Sequence, residues 1–146
     1  MCNCCFMGQC CNHHCCNHRE GINDIREGIG DIREGVRDIR EGLRDILRGN
    51  FCEGRRDICE GIRDIEEGLD DIIEGVWDIR SLLSREGLRD IREGIGDIRE
   101  GIRDICEGLN DICRGNMREG ARDIMEGTRD IEEGLADIIE GLGDIL

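Results

Sequence analysis

Apolar and polar residues follow a seven-residue period along most of this chain. From Arg19 onward the recurring unit is R-E-G-I-x-D-I, in which the two apolar residues are spaced three and four apart. This spacing places the apolar side chains on one stripe of an α-helix and is typical of coiled coils and helical bundles. In heptad notation the unit reads e-f-g-a-b-c-d. The pattern predicts an all-α protein.

The two apolar positions of the heptad differ in how strictly they are kept. Position d is isoleucine in all sixteen heptads, whereas position a is mostly Ile, Leu or Val and weakens to Arg55, Ala121 and Thr128. Leucine or isoleucine at a, combined with isoleucine at d, favours more than two helices around one core. We therefore expect four helices.

A longer repeat is superimposed on the heptads. The heptad phase breaks three times by shortening one step to five residues, so equivalent glycines fall at Gly21, Gly54, Gly87 and Gly120, 33 residues apart. Units one and three share the stretch IREGIGDIREG, and units two and four share RDIEEGL. A duplicated pair of helices, forming two similar hairpins, would give this pattern.

The three phase breaks carry residues that end and start helices. Two of them read Arg-Gly-Asn, at residues 48–50 and 114–116, where glycine can end a helix and asparagine can cap the next one. The third contains Ser84, a preferred N-cap residue. We predict helices near residues 20–48, 51–80, 85–114 and 117–146, packed as an antiparallel up-down-up-down four-helix bundle. The alternative is one long continuous coiled-coil helix in an oligomer, because the pattern averages to nine turns per 33 residues.

Glycine occupies position g in every heptad, although each glycine inside a helix costs about 1 kcal/mol relative to alanine. A seam without side chains would let two antiparallel backbones approach closely and form weak Cα hydrogen bonds. We expect the hairpins to close on this seam. In the alternative, glycine was carried along by repeat expansion without a structural need.

Four cysteines at position e test the hairpin topology. If the second helix folds back on the third, the pairs Cys52–Cys113 and Cys59–Cys106 share a midpoint between Leu82 and Leu83, the centre of the predicted turn. We predict that each pair comes within disulfide reach, with free thiols as the alternative. Across the first and fourth helices, the same register sets Arg33 opposite Glu132.

Composition narrows the function. The 146 residues are about one domain's worth of chain, and the net charge of −15 argues against a nucleic-acid partner. Asp and Glu recur at positions c and f and predict an acidic outer face, which we interpret as a solvated surface in preference to a cation-binding ladder. The heptads contain no histidine and few hydroxyls (Ser81, Ser84 and Thr128), so we expect no enzyme activity. We also expect no transmembrane segment and no signal peptide.

The chemical signal lies in residues 1–18, which we set apart from a helical domain over residues 19–146. Ten potential soft ligands crowd this segment: Cys2, Cys4, Cys5, Cys10, Cys11, His13, His14, Cys15, Cys16 and His18. Thiolates and imidazoles at this density suit zinc or copper, and the composition resembles metallothionein-like clusters in style. Adjacent cysteines also suit disulfides to different neighbours, including other chains, and S-acylation is a third possibility.

The pattern as a whole favours a structural, self-associating helical protein, either a homo-oligomer or a filament, fastened through this segment by disulfides or bridging metal. The alternative is a metal-binding or storage protein that holds zinc or copper on the same residues. Disulfides would favour an extracellular or surface location, and metal thiolates a cytoplasmic one, so the sequence leaves the compartment open.

Overall fold

A computed structural model describes the backbone of residues 14–146 and the side chains from residue 17 onward. Over that range the chain forms four α-helices: α1 (His14–Leu47), α2 (Phe51–Ile79), α3 (Arg85–Cys113) and α4 (Met117–Leu142). Short 3-10 turns follow α2 at Arg80–Leu82 and α4 at Gly143–Ile145. The predicted four helices are confirmed, and all three breaks fall at the phase breaks of the heptad. Helix α1 begins at His14, inside the segment 1–18.

The helices pack as two hairpins, α1 with α2 and α3 with α4. In the first hairpin Gly42 faces Gly54 next to the turn, and Gly21 faces Gly75 at the far end, so the two helices are antiparallel. This arrangement is consistent with a helical bundle. The alternative of one continuous helix is wrong for the described residues, because the chain reverses at residues 48–50 and 114–116.

The two Arg-Gly-Asn turns end α1 and α3 in the same way. Gly49 and Gly115 have φ values of +97° and +95°, a left-handed conformation that favours glycine. In the first turn the Asn50 N–H donates to the Asp45 carbonyl at 2.8 Å and the Gly49 N–H donates to the Ile46 carbonyl at 3.0 Å. These are the two hydrogen bonds of a Schellman motif.

Asparagine and serine differ in how they start the following helix. Asn50 and Asn116 occupy the N-cap positions of α2 and α4, as predicted, although neither side chain forms a capping hydrogen bond. The Asn50 carbonyl accepts the first hydrogen bond of α2, from the Gly54 N–H at 3.0 Å, as the Ser84 carbonyl does from the Leu88 N–H at the start of α3. The predicted Ser84 cap is confirmed: its Oγ accepts the Gly87 N–H at 2.9 Å.

The glycines of position g form the contact between the helices of each hairpin. A Cβ added to Gly35 would lie 2.5 Å from the carbonyl oxygen of Gly61, and a Cβ added to Gly61 would lie 2.6 Å from that of Gly35. Reciprocal contacts of this kind join four pairs in each hairpin: Gly21–Gly75, Gly28–Gly68, Gly35–Gly61, Gly42–Gly54, Gly87–Gly141, Gly94–Gly134, Gly101–Gly127 and Gly108–Gly120. The predicted seam is confirmed, and these glycines are required by the backbone approach.

The isoleucines of position d complete the core of each hairpin. All twelve of the largest fully buried side chains are d-position isoleucines, such as Ile32, Ile65 and Ile98. Each lies against a glycine of the facing helix: the Cγ1 atom of Ile65 would be 2.6 Å from a Cβ on Gly35. Glycine and isoleucine therefore interlock across the seam.

Position a lies between the two hairpins, and its burial is uneven. Val36 of α1 and Leu135 of α4 are buried, whereas Ile62 of α2 and Ile95 of α3 are only half-buried. The hairpins therefore meet more closely along α1 and α4 than along α2 and α3. The buried hydroxyl of Thr128 donates to the Ile124 carbonyl at 2.7 Å, which satisfies the polar group at this weak core position.

The seam can be tested with two glycine-to-alanine substitutions in α1. Gly35→Ala should lower the free energy of unfolding by about 1–3 kcal/mol, because the added methyl group would overlap the Gly61 carbonyl and force the helices apart. Gly30→Ala should raise it by about 0.5–1 kcal/mol, because a Cβ there would meet nothing within 4 Å. Urea denaturation followed by circular dichroism measures both, and a stabilised Gly35→Ala variant would contradict the close seam.

Candidate functional site

The predicted metal-binding segment is only partly within the described chain. Cys2, Cys4, Cys5, Cys10, Cys11 and His13 lie outside the described residues. His14, Cys15 and Cys16 lie in the first turn of α1, and their side chains are likewise outside the described part. The assignment of these ligands therefore stays a prediction.

His18 is the one predicted ligand whose side chain the structure describes. It is half-buried, and its Nε2 lies 3.5 Å from Ser81 Oγ in the connection between α2 and α3. The C-terminal residues lie near the same end, because Arg26 Nη2 donates to the Leu146 carbonyl at 3.0 Å. The helix that continues from the Cys/His segment thus starts beside the α2–α3 connection, at one end of the molecule.

The helix cysteines occupy the face along which α2 and α3 meet loosely. All four (Cys52, Cys59, Cys106 and Cys113) are exposed free thiols. Burial of the thiol raises the pKa of Cys106, and the nearby Glu66 carboxylate and Cys59 thiol raise it further. Cys59 is therefore near enough to act electrostatically on Cys106, while disulfide reach between the two thiols stays a prediction.

Aspartates of position c line both edges of the glycine seam. Asp31 lies so close to the facing helix that a Cβ on Gly68 would be 3.1 Å from its own Cβ. Burial raises the pKa of Asp38, and the carboxylates of Asp64, Glu34, Asp57 and Glu41 raise it further.

The same effect appears elsewhere along the seams. Burial raises the pKa of Asp71, and the carboxylates of Asp31, Asp24 and Asp70 raise it further. In the second hairpin, burial raises the pKa of Asp130, and the carboxylates of Asp104 and Asp97 raise it further. The nearby Arg129 cation lowers this pKa but does not cancel the rise. The close backbone approach thus brings two rows of like charges together. The sequence predicted an acidic outer face but not this half-buried pairing, which follows from the adjacency of positions c and g on a helix.

A groove between α1 and α4 was not predicted. Glu132 forms an ion pair with Arg40, one heptad beyond the Arg33 that the sequence register set opposite it. The groove beside this pair has a volume of about 530 Å³. Its lining combines apolar side chains with arginines and two small residues, and comprises Gly30, Arg33, Val36, Arg37, Arg40, Glu132, Leu135, Ala136 and Ile139. The sequence feature that could have indicated this groove is the presence of two small residues, Gly30 and Ala136, at position b, where arginine recurs.

Two further findings concern the described residues alone. None of the helices there has an apolar stretch long enough to cross a membrane. Among the side chains described, no three of His, Cys, Asp or Glu are grouped closely enough to hold a metal ion.

Comparison with protein-family models, with curated proteins and with solved structures finds no match to this chain. The function must therefore be inferred from the residues and geometry of the chain itself.

The proximity of Cys59 and Cys106 predicts an intramolecular disulfide. With glutathione disulfide as oxidant, each thiolate in turn attacks a sulfur, and two glutathione thiols leave. The raised pKa of Cys106 lowers the fraction of its thiolate at any given pH, so the crosslinking rate should increase with rising pH. The closed loop of roughly fifty residues should stabilise the protein by about 3–4 kcal/mol.

Peptide mapping without reduction identifies the link, and denaturation measures its effect. A Cys59→Ser variant should lose the crosslink while a Cys52→Ser variant retains it. Links only between like-numbered cysteines of two chains would contradict the antiparallel placement of α2 and α3.

The aspartates at the seam predict a pH dependence of stability. Where the folded pKa of a carboxyl is raised, the folded protein binds more protons than the unfolded chain between the ordinary value near 3.8 and the raised value. The free energy of unfolding should therefore rise as the pH falls from 7 into that interval. Replacing all three with Asn (Asp38→Asn, Asp71→Asn, Asp130→Asn) should stabilise the protein at pH 7 and flatten the pH profile.

Thermal denaturation between pH 4 and 8 measures this dependence. A variant with Glu67→Gln, Glu100→Gln and Asp144→Asn, all at exposed positions, is the control for the loss of three charges. A triple variant that is less stable than the parent at pH 7 would be inconsistent with repulsion at the seam.

Proposed function

We propose that this chain is a structural, self-associating helical protein, a scaffold or filament-type subunit, fastened through its Cys/His-rich N-terminal segment by disulfides or bridging metal. The observation that carries the proposal is the continuity of α1, which begins at His14 within the Cys/His-rich segment. Because the segment continues directly into α1, a crosslink formed in the segment would fix the position of the whole helical domain.

The helical body is suited to act as a spacer. The helices contain 26 to 34 residues, so at a rise of 1.5 Å per residue the body is about 40–50 Å long. Interlocked glycine and isoleucine pairs hold each hairpin along its whole length. We further propose that the two hairpins are duplicates built from 33-residue units and arranged as an antiparallel up-down-up-down bundle.

The chemistry of the segment supports crosslinking. Adjacent cysteines do not easily bridge each other, so a run of Cys-Cys pairs favours links to separate partners. Zinc or copper held by ligands from two chains would join them in the same way. Because His18 lies beside Ser81 at one end of the body, such links would join copies through their ends.

A metal-binding or storage role is the second candidate. Ten cysteine and histidine ligands within residues 2–18 favour it, since the same groups could enclose a zinc or copper cluster within one chain. The two functions differ in what they do to molecular size: a fastener produces larger assemblies, whereas a storage cluster leaves the chain monomeric.

Serine substitution distinguishes the contribution of the N-terminal cysteines to assembly from that of the helix cysteines. Replacing the seven cysteines within residues 2–16 should abolish assemblies formed under oxidising conditions or with added zinc, while helicity stays unchanged. A variant with Ser at positions 52, 59, 106 and 113 is the matched control and should still assemble. Light scattering and non-reducing gels measure size, and elemental analysis measures bound metal.

Each outcome of this experiment has a defined meaning. Assemblies that persist unchanged without the seven N-terminal cysteines would contradict the fastener. A parent chain that binds several metal ions and stays monomeric would favour the storage role.

A further inference from the structure

Charge is segregated around the helices of this protein. Nearly all of the carboxylates occupy positions c and f, on the outer face of each hairpin, whereas the arginines occupy positions a, b and e or the turns. Positions e and b of α1 and α4 flank the groove between the two hairpins. A cationic face and acidic faces therefore occur on the same molecule.

The groove between α1 and α4 is both cationic and apolar. Val36, Leu135 and Ile139 contribute apolar surface, and Arg33 and Arg37 add charges that Glu132 does not neutralise, because Glu132 pairs with Arg40. Gly30 leaves the groove open, since a Cβ there would meet nothing within 4 Å. The volume of about 530 Å³ is large enough for a bulky aromatic side chain.

Trp77 has the complementary properties. It is the only tryptophan in the chain, it lies at position b of α2, and it is 65% exposed. The Arg80 guanidinium lies 4.0 Å from the centre of its ring and covers one face of the indole. Glu74 and Asp70, three and seven residues earlier on the same side of α2, are exposed. An aromatic side chain thus protrudes with two carboxylates on its N-terminal side along α2 and the Arg80 cation on its C-terminal side.

We propose that the groove between α1 and α4 binds the Trp77 surface of a second copy of this chain. The indole would pack on the apolar side chains of the groove, and Glu74 and Asp70 would face Arg33 and Arg37. A large aromatic anchor in a pocket, surrounded by charge pairs, is the usual composition of an interface hot spot. Burial of the exposed indole supplies the apolar contribution.

The two surfaces lie on opposite sides of the molecule. The groove runs along α1 and α4, whereas Trp77 projects from the side formed by α2 and α3, so one chain cannot fill its own groove. A contact between two different surfaces is heterologous, and it adds copies in one direction unless the rotation closes a ring. The interface deepens the proposed self-association, on which it rests, by giving a side contact besides the N-terminal fastener.

Tryptophan fluorescence reads this contact directly, because the chain contains one tryptophan and no tyrosine. The full chain is studied with reductant and chelator present, so that disulfides and metal do not contribute. Raising the protein concentration should shift the emission of Trp77 to shorter wavelength, in step with association measured by sedimentation equilibrium. Added salt should weaken the association, because the charge pairs are screened.

A matched pair of substitutions locates the partner surface. Gly30→Phe fills the groove, since a Cβ there would have no neighbour within 4 Å, and should weaken association by at least about tenfold, as loss of an interface anchor does. Glu119→Phe adds the same side chain at an exposed position f in the first turn of α4, away from the groove and from Trp77, and should leave association within about twofold. Trp77→Ala should match Gly30→Phe.

The results distinguish this interface from the fastener. Emission that is already shielded in dilute protein, or that stays unshifted as copies associate, would overturn the groove as the partner of Trp77. Equal effects of Gly30→Phe and Glu119→Phe would overturn it too. In either case the proposed function is tested independently, by measuring assembly through the N-terminal cysteines under oxidising conditions.

Discussion

The contact between paired glycine backbones determines most other features of this structure. Because neither partner has a side chain, the carbonyl of one helix reaches the Cα of the other, as the reciprocal approach of Gly35 and Gly61 shows. The d-position isoleucines then pack onto the facing glycines, and the c-position aspartates are drawn toward the opposite helix. The absence of side chains at position g therefore explains the close contact between the helices, the fully buried isoleucine core and the row of half-buried carboxylates. The weak Cα–H···O contacts it allows, worth about 0.5–1 kcal/mol each, help to offset the entropy lost by helical glycine.

A seam with a seven-residue period does not fix its own register, since sliding one helix by a heptad would again pair glycine with glycine. The turns remove this ambiguity. Gly49 and Gly115, both with positive φ, end their helices at defined residues. The short connections that follow allow only the register in which Gly42 faces Gly54 and Gly108 faces Gly120. Local turn chemistry therefore selects among pairings that the core alone would leave equivalent.

This division of roles explains what could be predicted from sequence. The helix ends at the three breaks, the Ser84 cap and the glycine seam all follow from local residues and from the heptad, and they agree with the structure, whereas α1 begins six residues before the predicted start and α4 ends four residues before the predicted end. The offset between the two hairpins was less accessible. Glu132 pairs with Arg40 and not with Arg33, because no short connection joins α1 to α4 and the long arginine side chain can select among partners along the helix. The looser packing of α2 against α3 and the groove between α1 and α4 are likewise features of the contact between the hairpins, which the heptad leaves undetermined. The chemistry of residues 1–13 lies outside the described chain and remains an expectation from composition.

In a sequence this regular, the residues that depart from the heptad are the ones that carry information about function. Repeated isoleucine, glycine and aspartate build the same seam wherever they occur and cannot make one surface differ from another. The exceptions do: glycine and alanine replace arginine at Gly30 and Ala136, tryptophan occupies position b at Trp77, and cysteine occupies position e on α2 and α3. Each exception is exposed, so none is explained by the core. Both hairpins contain a glycine at the same heptad position, Gly30 and Gly96, yet Ala136, which lines the groove with Gly30, is replaced by Asp70 at the equivalent position of α2. The two hairpins, which share much of their sequence, thereby differ in the residues that they expose at position b, and the contact proposed between the groove and Trp77 rests on that difference.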